Sequence, residues 1–241
     1  KAVANNASPD PVPLLMTRPR GAAERFVASL PPDVRDRVRP IYSPLIAIEG
    51  LDADVDFKDE AAVFSSANGV AHGPLGAGRR AYCVGAATTR AALARGWAAE
   101  ERGQTAEALI AGLIAHPPAQ PLIHLSGVHT RGDIAARLTA QGIQTRNVAI
   151  YDQVAQPLTA EARAAVARGN PLMLPLFSPR TAAQFANQVP KAATVHVIAL
   201  SDAVADPLVG ASYGRVTVAA RPDANAMSDE IARVLNDMPS G

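Results

Sequence analysis

The chain has 241 residues, 48% of them hydrophobic and 19% charged, which suits one large soluble domain or two of roughly 100–120 residues with their own cores. A net charge of +1 without a Lys/Arg tract excludes a nucleic-acid footprint. One cysteine excludes an internal disulfide framework and points to a reducing, cytoplasmic setting, and no apolar run approaches the ~20 residues that span a bilayer.

The first stretch, "KAVANNASPDPVP" (1–13), has no apolar signal-peptide core and reads as a flexible leader, with folded sequence starting near Leu14. "PLLMT" reads as a strand and "RPRGAAERFVASL" as a turn leading into a helix. "RPIYSPLIAIE" is extended, because its prolines oppose helix. "AAVFSS" is a strand and "ANGVAHGPL" a short glycine-broken helix. "RAYCVG" is a strand, with Cys83 a buried, inert thiol. "AATTRAALARG" is a helix closed by Gly96. "WAAEE" is a short strand, and "TAEALIAGLIAH" a helix capped by Thr105. "PLIHLS" is a strand, "TRGDIAARLTAQG" a helix stopped by Gly142, and "IQTRNVAIYDQV" an extended segment.

The second half repeats this grammar. "TAEARAAVARGN" is a helix, "PLMLPLFS" a strand, and "PRTAAQFANQV" a helix with Pro179 at its first position. "TVHVIALS" is a strand and "DAVADPLVGA" a weak helix. "RVTVAA" is a strand and "ANAMSDEIARVLNDM" the last helix. Alternating strands and helices predict an α/β fold with mostly parallel sheets. "VFSSANGV" is echoed by "PLFSPRTAAQF", pairing Ser65 with Ser178, and "TAEALIAGL" is echoed by "MSDEIARVL". This long duplication predicts two similar lobes. One is discontinuous, 14–40 and 158–241; the other is 47–149. Segments 41–46 and 150–157 are expected to be linker strands that permit hinge motion.

In an open parallel sheet, ligands sit beyond the carboxyl ends of the strands, where helix N-termini offer backbone N–H groups to anions. Ser65, Ser66, Thr88, Ser126, Ser178 and Ser201 fall at such corners, as helix caps or ligand donors. Arg18, Arg20, Arg131 and Arg180 lie near strand ends and bias the same edges positive. "VGAATTRAAL" has one glycine where a nucleotide-binding turn has three. His124, His129 and His196 lack metal-ligand spacing, and His124 and His196 read as core or surface residues. The acidic run "DADVDFKDE" and the pair Glu100–Glu101 read as solvated surface. No nucleophile elbow or other Ser/His/Asp arrangement is visible. Tyr151 ends "RNVAIYD" where the extended segment leaves its lobe, either beside a cleft or packed at a domain junction.

The ordered set "LLMTRPR", "VFSSANGV", "YCVGAATTRAAL", "HLSG", "VAIYD", "LFSPRTAAQF" and "AARPDANAMSDEIARVL" resembles the uroporphyrinogen-III synthase family from about Leu14 to Leu235. The resemblance implies two flavodoxin-like lobes joined by a two-stranded β-ladder. It implies a carbon–oxygen lyase without a cofactor that cyclises hydroxymethylbilane to uroporphyrinogen III, inverting ring D and losing water, in haem biosynthesis. Tyr151, at the family's "VxxYD" position, is implied to be catalytic. Ser65, Ser66, Thr88 and Ser178 are implied substrate contacts, and Thr17, Arg18, Ser126, Gly127, Arg180 and Ser201 complete the substrate-binding set. The second "G-x-T" corner departs from the family: Ser201 replaces the glycine, and Ala203 and Val204 stand where threonine is expected. No metal, nucleic acid or membrane is implied. The chain is expected to be a monomer that takes its substrate by transient hand-over from the preceding pathway enzyme. The competing readings are a non-enzymatic two-lobed binding protein for a small polycarboxylate anion and a flavodoxin-like interaction domain.

Overall fold

The structure, a computed structural model, describes residues 10–130 and 132–238. The chain divides into two compact units: one runs up to Ala47 and resumes at Ala155, and the other is Ile48–Val154. The chain therefore leaves the first unit, builds the second, and returns.

The first unit opens with β1 (Val12–Met16), α1 (Arg20–Ser29), α2 (Pro32–Arg35) and β2 (Val38–Tyr42). β3 (Ile46–Gly50) follows. The second unit then runs β4 (Ala61–Phe64), α3 (Ala67–His72), β5 (Arg80–Val84), α4 (Gly85–Ala94), β6 (Ala98–Gly103), α5 (Ala106–Ala115), β7 (Leu122–Gly127), α6 (Ile134–Ala140) and β8 (Thr145–Ala155). The return adds α7 (Ala160–Ala167), β9 (Leu172–Leu176), α8 (Pro179–Gln188), β10 (Lys191–Ala199), α9 (Asp202–Ala205), a 3₁₀ turn, β11 (Ser212–Val218) and α10 (Ala224–Asp237).

The first sheet has the order β11-β10-β9-β1-β2, and its pairs are parallel. Counted by appearance in that unit, this is the flavodoxin order 2-1-3-4-5. The second sheet reads β3-β8-β7-β4-β5-β6, and the pairs joining β8, β7, β4, β5 and β6 are parallel. It has the same spatial order once β7 and β8 take the places of β1 and β2. The two units are one architecture with a shifted starting point in the chain.

Each sheet is covered by core on both faces. In α10 the buried residues Met227, Ile231, Val234 and Leu235 recur at helical spacing and form one stripe. Burying each such side chain stabilises by about 1.5–3 kcal/mol. The expected caps form. Thr105 Oγ1 accepts from Ala108 N–H, and Pro179 occupies the first turn of α8. Gly96 and Gly142 have φ of +79° and +82°, the left-handed conformation that ends a helix.

Four expectations change. Val12 and Pro13 belong to β1 rather than to a leader; residues 1–9 lie outside the described chain. "RPIYSPLIAIE" splits into β2 and β3, which belong to different sheets. "PPDVR", assigned to no element from the sequence, carries the short helix α2, with Pro32 at its start. Glu60, read as solvated, has a side chain only 9% exposed and pairs with Arg146, whose guanidinium holds its carboxyl below the usual range.

Candidate functional site

The corner after β4 is built from small residues. Ser66 is the N-cap of α3, and its Oγ accepts from Gly69 N–H at 3.4 Å. In the first unit Ser178 does the same for α8, accepting from Thr181 N–H at 3.2 Å and donating to Thr181 Oγ1 at 2.8 Å. The structural echo is therefore Ser66 with Ser178, one position away from the pairing of Ser65 with Ser178 that the sequence suggests.

Tyr151 meets this corner from β8. Regular alternation would send it to the opposite face from Ile150. A register shift between Ser126 and Gly127, opposite Ala149 and Tyr151, breaks that alternation. Ile150 and Tyr151 consequently belong to the same core cluster, with Phe64 and Ile123. Tyr151 is 7% exposed, and its hydroxyl lies 3.2 Å from Ser66 Oγ. Its ring sits on Gly127: a Cβ added there would stand 2.6 Å from ring carbon Cε2. His72 flanks the ring at 5.9 Å between centroids. The phenol is thus held on three sides, with its oxygen at the carboxyl end of β4 and β7.

On the other face of the same sheet, Ser65 Oγ is 3.0 Å from His124 Nε2. His124 is 2% exposed, and burial pushes its pKa down to about 4, against the opposing pull of a hydrogen bond with Asn147. Ser126 is buried and lies 3.0 Å from Asn147 Oδ1, to which it donates. Ser65 pairs with His124 across β4 and β7, and Ser126 with Asn147 across β7 and β8. His124 is thus a core residue, as one of the two sequence readings had it, with a polar partner in Ser65. A Ser–His pair exists that the linear sequence hides, because it depends on the register of two strands. His129 lies 3.5 Å from Asp152, next to Tyr151 in the chain.

Thr88 is buried within α4, and its hydroxyl does not cap that helix, whose N-cap is Val84. Cys83 is buried, and desolvation raises its thiol pKa to about 11, so it is inert.

The matching corner of the first unit is cationic. Arg18 lies over the Phe177 ring at 4.2 Å, and its Nε is buried without a hydrogen-bond partner among the described residues. Burial, aided by Arg25, lowers its pKa. Thr17 beside it is buried, and its carbonyl accepts from Leu45 N–H. Arg180, in the first turn of α8, is half-buried. Arg20 pairs with Glu24. Arg131 lies outside the described residues. Ser201 is the N-cap of α9, but its side chain makes no capping hydrogen bond. Among the described residues no cluster of His, Cys, Asp and Glu could hold a metal ion, and no helix is long and apolar enough to cross a membrane.

A family model described as uroporphyrinogen-III synthase HemD matches residues 35–229. The chain belongs to the uroporphyrinogen-III synthase family. The synthase reading, an enzyme of haem biosynthesis acting on a small molecule, therefore stands, and the binding-protein alternative is not favoured. The fold agrees. A crystal structure of uroporphyrinogen-III synthetase from Helicobacter pylori 26695 superposes with a TM-score of 0.65 at 13% identity, covering 93% of this chain and 99% of that one. A mutant uroporphyrinogen III synthase from the extremely thermophilic bacterium Thermus thermophilus gives 0.47 at 17% identity, covering 94% and 100%. No curated protein sequence matches the chain.

Proposed function

We propose that this chain closes hydroxymethylbilane to uroporphyrinogen III by positioning the substrate and by proton donation from Tyr151. The observation that carries the proposal is the Tyr151 hydroxyl, held 3.2 Å from Ser66 at the strand ends with its ring seated on Gly127. A phenol carries a proton that it can hand to a departing oxygen. In the reaction the bond between the hydroxymethyl carbon and its oxygen breaks, and the electron pair leaves with the oxygen. The phenol proton turns that oxygen into water, leaving a resonance-stabilised cation on the pyrrole. A carbon of ring D bonds to that cation and closes the macrocycle, and the proton released as that pyrrole ring regains aromaticity restores the phenol. General-acid help of this kind is worth ~10²–10⁴ in rate.

In this reading Ser66, whose Oγ accepts from Gly69 N–H and lies 3.2 Å from the Tyr151 oxygen, acts as the donor in that pair, which leaves the phenol proton for the substrate. Substrate binding is assigned to Ser65, Ser66, Thr88, Ser126 and Gly127 in the second unit and to Thr17, Arg18, Ser178, Arg180 and Ser201 in the first. Arg18 is the strongest of these by its chemistry, being a stacked guanidinium with an unused buried N–H. Holding a flexible chain in one reactive geometry supplies up to ~7–11 kcal/mol in the best cases. The step is a carbon–oxygen lyase reaction and needs no cofactor. The segments 41–46 and 150–157 are proposed as the linker strands, and the chain as a monomer receiving substrate from the preceding enzyme.

The test supplies hydroxymethylbilane and separates the products by isomer. Excess type III over the enzyme-free control is expected. Type I alone would overturn the reading.

A further inference from the structure

The short helix α3 touches the Tyr151 phenol at both of its ends. At its start the capping Ser66 Oγ lies 3.2 Å from the phenol oxygen. At its end His72, its last residue, places an imidazole 5.9 Å from the phenol ring, centroid to centroid, with 32° between the planes. That separation lies within the range of attractive offset ring pairs. A hydrogen bond alone leaves a phenol free to swing its ring about the bonded oxygen. A second contact, made to the ring by the same helix, removes that freedom. Counting from the capping serine, α8 of the first unit carries Gln184 at this place, so the frame itself requires no ring there.

The imidazole is itself braced. A Cβ added to Gly50, the last residue of β3, would stand 3.0 Å from His72 Nδ1 and 3.9 Å from both Cγ and Cε1. Those three distances put Gly50 in line with the Nδ1 edge rather than over the ring face. The missing side chain is room that the imidazole uses. The Leu51 N–H, next in the chain, donates to the Ile150 carbonyl at 2.9 Å, which ties the end of β3 to β8 one residue before Tyr151. Brace, imidazole and phenol thus share one frame inside the second unit. Gly50 has no left-handed φ, so an alanine there meets the ring and no backbone penalty.

We propose that His72 is a positioning residue: it fixes the ring plane of Tyr151, so that the hydroxyl stays on Ser66 and the acid works from one geometry. This rests on the reading of Tyr151 as the acid. A proton donor held off its line loses rate without losing substrate, because the misplacement is felt in the reacting geometry and not in the ground-state contacts. The signature of His72 therefore falls in kcat and not in KM.

Steady-state kinetics with hydroxymethylbilane and the NMR signals of ¹³C-tyrosine-labelled protein test this together. His72→Ala should lower kcat about five- to tenfold with KM within about twofold, and His72→Phe, which keeps a ring in that place, should recover at least about half of the loss. Gly50→Ala, which pushes the imidazole along its own plane, should lower kcat about two- to threefold in the wild type and leave it unchanged in the His72→Ala background. The Tyr151 ring signals, assigned by their loss in Tyr151→Phe, should move in His72→Ala and in Gly50→Ala, as the imidazole ring current is removed or displaced. A loss in KM in place of kcat, additive losses for Gly50→Ala and His72→Ala, no relief from Phe, or Tyr151 signals that stay still each overturn the proposal. Full turnover in Tyr151→Phe sinks the acid reading and takes the positioning role with it, whereas moved signals beside an unchanged kcat in His72→Ala sink the positioning role alone.

Discussion

The strand-end corners of the two units share a frame and differ in content. Both end a central strand at a serine that caps the next helix. Around Ser178 the neighbours are Phe177 and a stacked Arg18. Around Ser66 they are a phenol, a neutral imidazole and two further hydroxyls. The repeated fold supplies two backbone corners; one carries a stacked guanidinium and the other a phenol and an imidazole. Conserving the cap while changing its neighbours separates stability from chemistry.

Substitutions can break that division, beginning with the largest effect. Tyr151→Phe should slow turnover by ~10²-fold or more without unfolding the protein, whereas Tyr42→Phe in the first unit should leave turnover within about twofold. Steady-state kinetics decides, and equal effects would dissolve the distinction. Acidification should act through the second unit. The His124 pKa in the folded chain is depressed to about 4 from 6.5. The stability it contributes is complete above about 6.5 and is lost as pH falls through about 4, up to about 3 kcal/mol in all. Denaturant midpoints from pH 7 to 4 should fall in the wild type and fall less in His124→Gln.

Gly127→Ala should force the Tyr151 ring off its seat, because the new methyl would meet ring carbons. We expect about a tenfold loss of turnover, larger than the accompanying loss of stability; Gly142→Ala, a helix stop whose φ is +82°, should cost stability without turnover. The smallest effect sharpens the comparison most. Ser66→Ala and Ser178→Ala should each cost about 1 kcal/mol of stability as lost caps. Only the first should also lower kcat, because only Ser66 touches the phenol.

Much of this was legible in the sequence. Short apolar runs ending at Ser, Thr or Gly marked nearly every strand and helix, since caps and breakers act locally. The duplication was visible for the same reason. The pairing of its halves was off by one, because matching Phe64 with Phe177 is natural in letters. Burial and cap geometry instead match Phe64 with Leu176 and Ser66 with Ser178. Tyr151 was found through its family position, but its seat was not, since one irregular residue in β8 flips its face. His124 was read as core or surface and is buried, but its pairing with Ser65 was not visible, because that partner comes from a neighbouring strand and no local spacing reports a strand register.

The shifted starting point has a consequence for how the chain is made. Strands β4 to β8 leave the ribosome as one uninterrupted block and can pair as they emerge. Leu14 in β1 must wait for Met173 in β9 before its sheet can close. Long loops cost entropy before their contacts form, so the inserted half should condense first and hold the early strands captive until the late ones arrive.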